Sequence, residues 1–399
     1  MITVDEHLAQ ILDAVRVFDT TTIPLAQALG LTLRAPVHAG VDLPLFDNSA
    51  MDGFAVRFAD VATASQASPA VLRVVADLPA GTSLEPTLHA GEAARIMTGA
   101  PVPMTADTIV PFEDTAGGLE DSLDVVRVQQ APRGPGAHIR RRGEDCTVGT
   151  ELIPAGVMLG PLQLAAIAAT NVESVTVARR PRVAVISTGS ELVPPGSPLV
   201  RGQIPESNSL LLGALTTGAG ADVVLQTTVA DVDDDLRAAL AEATARGADV
   251  VVTSGGVSAG AFEVVKSTLA EMTFVKVAMQ PGKPQGFAAG RPLVFGLPGN
   301  PVSAAVSFEV FVRPALLAMQ GRTNLHRRML RLPATQGWRV PRGRRQYLPV
   351  VLVDGGVAPA TTGGSHLAGG LAGAEAYAVI PAEVEAVSHG DVVDVMLVS

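Results

Sequence analysis

Apolar residues recur with helical spacing at the start of the chain. Over 3–17 they fall on one face of a predicted amphipathic helix, at Val4, Leu8, Ile11, Leu12 and Val15. Thr3 followed three residues later by Glu6 is the pattern of a capping box, so we expect the helix to begin there. A second apolar helix is predicted over 161–170, and we expect it to pack against the first.

Between these two helices the pattern changes to alternating apolar and polar residues with many turn residues. Alternating runs at 71–75 and 124–128 are typical of short β-strands. We therefore predict an all-β domain over 46–140, inserted between the two halves of a split helical domain. The two halves are expected at 1–45 and 141–179.

From residue 180 onwards, short apolar runs alternate with helical runs. Strands are predicted at 183–187, 222–225, 249–253, 274–277 and 293–295, and helices at 209–217, 234–246, 263–269 and 302–319. This alternation indicates an α/β domain over 180–322 with a doubly wound, mostly parallel sheet, in which ligands bind beyond the carboxyl ends of the strands. Short strands and glycine-rich turns then predict a C-terminal β domain over 323–399, ending with a strand at 392–398.

Composition is that of a multidomain globular protein. The chain has 399 residues, of which 47% are hydrophobic and 17% charged, and a net charge of −10. A nucleic-acid partner is not expected, because the basic runs are short and the overall balance is acidic. The single cysteine, Cys146, excludes an internal disulfide and a thiolate zinc cluster. Because no long apolar run and no signal-peptide pattern is present, we expect a cytoplasmic protein without a membrane span.

Four loops of the α/β domain contain residues suited to binding an anion. Three of them follow predicted strands, at 187–191, 253–258 and 296–303, and are rich in glycine and hydroxyl side chains. Glycine lets a backbone approach a ligand closely, and amides at a helix start bind anions. The fourth loop, 280–284, contains Lys283 and follows a strand that contains Lys276. Each loop alone is weak support, since Gly-Pro turns end many strands and a lone lysine is usually a surface residue.

Carboxylates fall at the same predicted edge of the sheet. They are Glu191, Asp231 and Glu263, with Asp233–Asp235 nearby. Oxygen ligands from separate loops beside phosphates are what Mg²⁺ accepts, whereas Asp233–Asp235 alternatively cap the next helix. The chain lacks a P-loop, a G-x-S-x-G nucleophile motif and metal-spaced histidines. The residues alone therefore indicate a multidomain protein that binds a phosphorylated, anionic ligand, with magnesium.

Nine segments, taken together and in this order, resemble the molybdopterin molybdotransferase family, to which the C-terminal part of gephyrin also belongs. They are DNSAMDGFAV, RIMTGAPVP, RRRGED, STGSEL, SGGVS, PGKP, GLPGNPVS, GRRQYLPV and TGGSH. The resemblance covers nearly the whole chain. It implies a split helical domain, an inserted β domain, a molybdopterin-binding α/β domain and a C-terminal β domain. It also implies an elongated homodimer whose cleft is lined by the α/β domain of one subunit and by parts of its partner.

The reaction implied by this resemblance takes adenylylated molybdopterin and molybdate as substrates. It cleaves the pyrophosphate link with Mg²⁺, releases AMP and leaves molybdenum on the dithiolene. The implied catalytic residues are Asp52, Thr98, Asp145, Glu191, Lys276 and Lys283. The implied magnesium ligands are Glu191, Asp231 and Glu263. The implied substrate-binding residues are Ser254, Gly255, Gly256, Ser258, Pro298, Gly299, Asn300, Pro301, Arg344 and Ser365.

The chain departs from the family pattern in the second of the loops. Many relatives read SGGVSVGDYD where this chain has Ala261 and Glu263 in place of the two acids, and Glu191 follows Ser190 where an aspartate is common. Two alternatives stay open: a molybdopterin adenylyltransferase, which would need only 181–320, and a non-catalytic scaffold like part of gephyrin. A paralogue selective for tungstate is a third. Candidate protein partners are the adenylyltransferase and molybdoenzyme chaperones.

Overall fold

The computed structural model describes residues 1–118, 123–255, 272–361 and 364–398. The first 45 residues contain one α-helix, a single 3-10 turn at Leu25–Gln27 and three short strands: α1 Val4–Ala14, β1 Thr20–Pro24, β2 Thr32–Leu33 and β3 Val37–His38. The predicted capping box is confirmed, because the Glu6 amide donates to Thr3 Oγ1 at 3.1 Å and the Thr3 amide donates to Glu6 Oε2 at 2.7 Å.

The inserted domain is a small β structure, as predicted. Its elements are β4 Asn48–Ser49, β5 Gly53–Val56, α2 Phe58–Val61, β6 Ala70–Leu78, β7 Glu92–Ile96, β8 Thr108–Pro111, β9 Val125–Val128 and β10 Ile139–Arg140. Five strands form a sheet in the order β8-β5-β7-β6-β9, with Phe54 and Phe112 packed edge to face beneath it. The connecting segments pair through β4 and β10, and Arg141–Asp47 and Arg142–Asp42 ion pairs at 2.6 Å join them.

After the insertion the chain returns to the N-terminal strands. This part contains β11 Glu151–Ile153, α3 Pro161–Ala169 and β12 Ser174–Ala178. Strand β12 lies between β1 and β2, and β11 pairs with β3. Residues before and after the inserted domain therefore share the same small sheets, which keeps both connections to the insertion at one place.

The α/β domain is built on a six-stranded sheet. Its elements are β13 Arg182–Thr188, β14 Leu192–Val193, β15 Ile204–Pro205, α4 Asn208–Gly218, β16 Asp222–Val229, α5 Asp233–Ala245, β17 Val250–Ser254, β18 Thr273–Lys276, β19 Met279–Gln280, β20 Pro284–Ala288, β21 Leu293–Leu297 and α6 Pro301–Met319. The strand order is β16-β13-β17-β21-β20-β18, in which only β20 runs against its neighbours. The mostly parallel, doubly wound sheet is as predicted. The helix predicted at 263–269 lies outside the described residues.

Helix α6 is the central core helix of this domain. Within the described residues it alone is long and apolar enough to cross a membrane, but 89% of its most apolar window is buried in the protein. Its middle, Phe308–Val312, forms a π-helical turn that contains the buried Glu309. Arg327 donates two hydrogen bonds of 2.9 Å to this carboxylate, which compensates the buried charge.

The C-terminal β domain joins the α/β domain through a shared strand. Its own strands are β22 Met329–Pro333, β23 Trp338–Arg339, β24 Arg345–Val353, β25 Gly356–Pro359, β26 Ala376–Ile380, β27 Ala386–Val387 and β28 Val392–Leu397. Its sheet has the order β19-β24-β26-β28-β22, so that β19 of the α/β domain forms an edge. Gln280 is thereby paired in register with Gln346.

The expectation that the helix at 161–170 packs against α1 is wrong. Ile167 of α3 is buried with Leu33 and Val175, whereas Ile11 of α1 is buried among core residues of the α/β domain. His7 of α1 also lies edge to face with Phe311 of α6, at 4.8 Å between ring centroids. An apolar stripe on a helix predicts that a face is buried but not which element covers it.

The buried His7 predicts a specific loss of stability in acid. Its side chain is 3% exposed between Phe287 and Phe311, and burial lowers the pKa of His7 from 6.5 to about 4. The unfolded chain therefore takes up a proton before the folded chain does, so stability falls as the pH drops from 6.5 to 4. This shift corresponds to about 3 kcal/mol.

We expect His7→Leu to remove this part of the pH dependence. The free energy of unfolding would be measured by denaturant titration at pH 7 and at pH 4.5. Its decrease between these two pH values should be about 2 to 3 kcal/mol smaller in the variant than in wild type. His7→Gln, which keeps a polar side chain without a titrating ring, should show the same weaker dependence. An identical slope in all three proteins would contradict the assignment.

Candidate functional site

A cleft of about 620 Å³ lies at the carboxyl edge of the α/β sheet. It is where the loops after the parallel strands meet the loop before β20 and a segment of the C-terminal domain. The described residues that line it are Thr188, Glu191, Leu192, Ile204, Asn208, Asp231, Ser254, Gly255, Gln280, Pro281, Gly282, Lys283, Pro284, Pro298, Gly299, Asn300, Ser303 and Ser365.

The strand order separates the charges of this cleft. Asp231 follows β16 and Glu191 follows β13, whereas Lys283 directly precedes β20, three strands further along the sheet. Neighbouring strands are about 4.8 Å apart, so β13 and β20 lie roughly 14 Å from each other. The cleft therefore has an acidic end and a basic end. It is not lined by positive charge throughout.

At the acidic end, two loops are joined by a reciprocal pair of hydrogen bonds. The Ser190 amide donates to Asp231 Oδ2 at 3.3 Å, and the Asp231 amide donates to Ser190 Oγ at 3.2 Å. Glu191 folds back over Gly189, where a Cβ would lie only 2.8 Å from Glu191 Oε2. Both carboxylates thus face the same cleft with oxygens available to a ligand.

These two carboxylates suit a magnesium ion bound together with phosphate. No cluster of three or more His, Cys, Asp or Glu forms among residues 1–118, 123–255, 272–361 and 364–398. Mg²⁺ commonly binds through one or two carboxylates, several waters and the phosphates of a substrate. The acidic end therefore fits a magnesium site that a phosphorylated ligand completes.

The floor of the cleft is formed by the backbone of two loops, and at Gly255 this backbone leaves no room for a side chain. Gly255, at the end of β17, has a φ of +91°, and a Cβ there would lie 2.3 Å from the carbonyl oxygen of Thr188. At Gly299, a Cβ would lie 3.4 Å from Gly255 Cα, an ordinary packing distance. Of these two positions, Gly255 is therefore the one that requires glycine.

At the basic end, the loop that contains Lys283 is held from below. Buried Gln285 donates to the carbonyl oxygen of Gly282 and to Ser307 Oγ, both at 2.7 Å. The Val277 amide donates to the carbonyl oxygen of Lys283 at 2.8 Å. Arg344 Nη1 donates to Gln280 Oε1 at 3.0 Å, which places a second cation at the border of the cleft.

The C-terminal domain contributes Ser365 beside the start of α6. Asn300 Nδ2 donates to Ser365 Oγ at 3.0 Å, and the Val302 amide donates to the carbonyl oxygen of Ser365 at 3.3 Å. The positive end of the α6 dipole is directed at the same place, which favours a bound anion. The hydroxyl, the helix start and Lys283 line one cleft.

Most residues predicted in the α/β domain converge here. Arg344 lies at the border of the cleft, where it is bonded to the lining residue Gln280. Pro301 is the first residue of α6 and follows the lining residue Asn300. Lys276 is exposed at the end of β18, outside the lining. Gly256, Ser258 and Glu263, together with the departure at Ala261, lie outside the described residues. The predicted residues that line the cleft are Glu191, Asp231, Ser254, Gly255, Lys283, Pro298, Gly299, Asn300 and Ser365.

Besides Lys276, three predicted catalytic residues are not brought to this cleft within the chain. The Thr98 amide donates to Asp52 Oδ1 at 2.6 Å, and this bond holds the pKa of the Asp52 carboxyl below its usual value. Both residues are exposed on the inserted β domain. Asp145 is exposed in the returning connection, where its amide donates to the carbonyl oxygen of Leu43. None of the three lines the cleft.

Sequence reasoning missed the lining residue Asn208 and the nearby buried carboxylate Glu206, which lies outside the lining. Asn208, at the start of α4, lines the cleft and donates to the carbonyl oxygen of Gly299 at 2.7 Å. Buried Glu206 accepts hydrogen bonds from Ser187 Oγ, at 2.8 Å, and from the Ser209 amide and hydroxyl. A polar run just before a predicted helix was the available signal, but such runs usually only cap the helix.

Comparisons with known proteins cover nearly all of the chain. Family models match residues 2–171 (MoeA N-terminal region, domains I and II), 184–318 (probable molybdopterin binding domain) and 331–398 (MoeA C-terminal region, domain IV). The molybdopterin molybdenumtransferase 2 of Mycobacterium tuberculosis is 45% identical over 403 aligned residues, which is 98% of each chain. The molybdopterin molybdenumtransferase of a Nostoc species is 37% identical over 93% of this chain and 87% of its own.

Solved structures agree over the full length. A molybdopterin biosynthesis MoeA protein from Pyrococcus horikoshii superposes with a TM-score of 0.84 at 27% identity and covers 100% of both chains. A second crystal structure of a MoeA protein from Pyrococcus horikosii gives a TM-score of 0.79 at 32% identity, over 100% of this chain and 99% of that one. The fold of the whole chain is therefore shared with solved proteins.

The close backbone contact at the floor predicts that Gly255→Ala is strongly destabilising. A positive φ costs an L-residue roughly 1 to 2 kcal/mol, and the clash with Thr188 adds roughly 1 to 3 kcal/mol. Gly196→Ala is the matched control, because Gly196 has a φ of +87° with nothing within 4 Å of an added Cβ. In denaturant unfolding, Gly255→Ala should lose clearly more stability than Gly196→Ala, and equal losses would contradict the close contact.

Proposed function

The chain belongs to the MoeA family of molybdopterin molybdenumtransferases, and we propose that its α/β cleft transfers molybdenum from molybdate to adenylylated molybdopterin. In this reaction water cleaves the pyrophosphate link of the nucleotide and AMP is released. Molybdate gives up two oxygens as water when the two dithiolene sulfurs bind its molybdenum. The observation that supports the assignment to this cleft is its division into an acidic end with Glu191 and Asp231 and a basic end with Lys283 and Arg344.

The acidic end suits the pyrophosphate with its metal. Glu191 and Asp231 would hold Mg²⁺, with Glu263 a further candidate from outside the described residues. When bound, the ion would offset negative charge on the phosphates as the link is cleaved. The loops of Gly255 and Gly299, between the two ends, let the backbone approach the phosphates, and the positive start of α6 lies beside Ser365 towards the basic end. Ser254, Gly256 and Ser258 would contact the pterin part.

The basic end suits the oxyanion. Lys283 and Arg344 supply two cations, and Ser365 supplies a hydroxyl that can donate to an oxygen of molybdate. Pro298 and Pro301 shape the wall between this end and the floor. Holding molybdate beside the dithiolene sulfurs, against the repulsion of a second anion, is the main contribution we assign to these residues. Lys276 would act from the end of β18, just before the loop that contains Lys283.

We propose that a second subunit completes the cleft. Asp52, Thr98 and Asp145 are exposed and do not line the cleft of their own chain. A homodimer in which each inserted domain and its returning connection reach the partner's cleft would bring them there. In that position the Asp52 carboxylate, oriented by its bond from the Thr98 amide, would face the pyrophosphate together with its Mg²⁺. The subunit interface is then part of the active site.

The alternatives are disfavoured by the extent of the resemblance. A molybdopterin adenylyltransferase would need only the α/β domain, whereas family models match both the regions before and after it. A pure scaffold would not need the charged cleft. We further propose a cytoplasmic location and transient partners among the adenylyltransferase that would supply the nucleotide and the chaperones that would receive the cofactor.

Mixed dimers test both the activity and the shared site. Asp52→Ala and Lys283→Ala should each fold normally and each lower molybdate-dependent AMP release by about 100-fold or more. Lys283→Ala removes a cation that offsets the charge of the anionic substrates, and Asp52→Ala removes the carboxylate that the partner would supply beside Mg²⁺. Random reassociation of the two variants should restore about a quarter of wild-type activity, since half the dimers are mixed and each mixed dimer has one intact site. The assay contains adenylylated molybdopterin, Mg²⁺ and molybdate.

The control mixes each variant with the double variant Asp52→Ala/Lys283→Ala. That control should stay inactive, because no dimer then contains an intact site. If the mixture of single variants also stays inactive while size-exclusion and mass measurements show mixed dimers, Asp52 and Lys283 act within one chain and the shared site is wrong. Full activity of either single variant would contradict the proposed site itself.

A further inference from the structure

The residues before α1 are bonded to the segment that leads into the Lys283 loop. The Ile2 amide donates to the carbonyl oxygen of Lys276 at 3.1 Å, and the Ala278 amide donates to the carbonyl oxygen of Ile2 at 2.8 Å. Ile2 thus forms a parallel bridge with the fully buried Val277. Val277 in turn donates its amide to the carbonyl oxygen of Lys283, so only one residue separates Ile2 from the basic end of the cleft.

Helix α1 also packs on the other side of this loop. The ring of His7 lies edge to face with Phe287, at 6.5 Å between centroids. Phe287 belongs to β20, the strand that begins at Pro284 immediately after Lys283. The N-terminal segment therefore contacts the chain both before and after the 279–283 loop, although it belongs to a distant part of the sequence.

A bidentate ion pair joins the same helix to the strand that contains Arg345. Asp5 accepts two hydrogen bonds of 2.8 Å from Arg345, and the Arg345 amide donates to the carbonyl oxygen of Ala278 at 2.9 Å. The preceding residue, Arg344, donates to Gln280 in the cleft. Through Arg345, Asp5 is therefore linked to Ala278, just before the 279–283 loop, and to the neighbouring Arg344, the second cation of the cleft.

We propose that the N-terminal segment Ile2–His7 positions the oxyanion end of the cleft. It fixes the backbone of the 279–283 loop through Val277 and Ala278, and it fixes the Arg344–Arg345 turn through Asp5. None of its residues lines the cleft, so they are positioning residues for Lys283 and Arg344. The inference rests on the proposed function for its substrate, but the bracing of the loop does not depend on that function.

The proposal predicts a selective effect on one of the two substrates. The Asp5–Arg345 pair is largely exposed on the Asp5 side, so its loss should change global stability little. Lys283 and Arg344 should, however, lose their fixed separation. We expect Asp5→Asn to raise the KM for molybdate roughly tenfold, because small displacements of binding groups are costly, and to leave the KM for adenylylated molybdopterin unchanged.

Matched variants separate bracing from general damage. Asp5→Glu keeps the ion pair and should restore the wild-type KM, and Asp13→Asn removes the same charge from an exposed position of the same helix and should have no effect. Ile2→Pro removes the amide that donates to Lys276 and should reproduce the effect of Asp5→Asn, whereas Ile2→Val keeps that amide and should not.

Hydrogen exchange of peptides spanning 274–286 tests the bracing without any substrate. Exchange should be roughly tenfold faster in Asp5→Asn and Ile2→Pro than in wild type, with peptides of the inserted domain unchanged. Unchanged exchange and an unchanged molybdate KM in both variants would overturn the proposal, as would an equal rise of both KM values. If wild-type protein releases no AMP, the proposed function fails, and the exchange data still decide whether the segment braces the loop.

Discussion

The separation of opposite charges along one sheet edge is the constraint on which the proposed activity depends. A pyrophosphate and a molybdate dianion repel each other, so each needs compensating positive charge at its own place. For the pyrophosphate this charge would be Mg²⁺ held by carboxylates, and for molybdate it would be cationic side chains. Parallel strands keep a fixed spacing, and loops after β13 and β16 therefore hold Glu191 and Asp231 well away from Lys283 before β20. The glycines between them leave the floor free for a ligand that spans both ends.

The convergence of the α/β loops was predictable from the sequence because it follows from topology alone. Strand-end loops of a parallel sheet must share an edge, so Glu191, Ser254 and Pro298 could be placed together without knowing any tertiary contact. The pattern of alternating strands and helices was strong enough for this. Asn208 was missed, since a polar residue at a helix start is usually only a cap.

Contacts between distant segments could not be predicted in this way. The amphipathic pattern of α1 correctly indicated a buried face, but the partner it packs on is the α/β core, not α3. The positions of Ser365 and Arg344 beside the cleft depend on β19 joining the C-terminal sheet, a pairing of two residues with no sequence signal of its own. Ser365 and Arg344 were predicted as site residues from the resemblance to the family, because spacing, charge and periodicity in the sequence did not indicate them.

The most direct test of the charge separation is the dependence of AMP release on each ligand in Asp231→Asn and Lys283→Gln. Steady-state rates would be measured over a range of free Mg²⁺ at saturating molybdate, and over a range of molybdate at saturating Mg²⁺. We expect Asp231→Asn to raise the Mg²⁺ concentration needed for half-maximal rate with little change for molybdate, and Lys283→Gln to do the reverse. Equal changes in both requirements for both variants would contradict the division of the cleft into an acidic and a basic end.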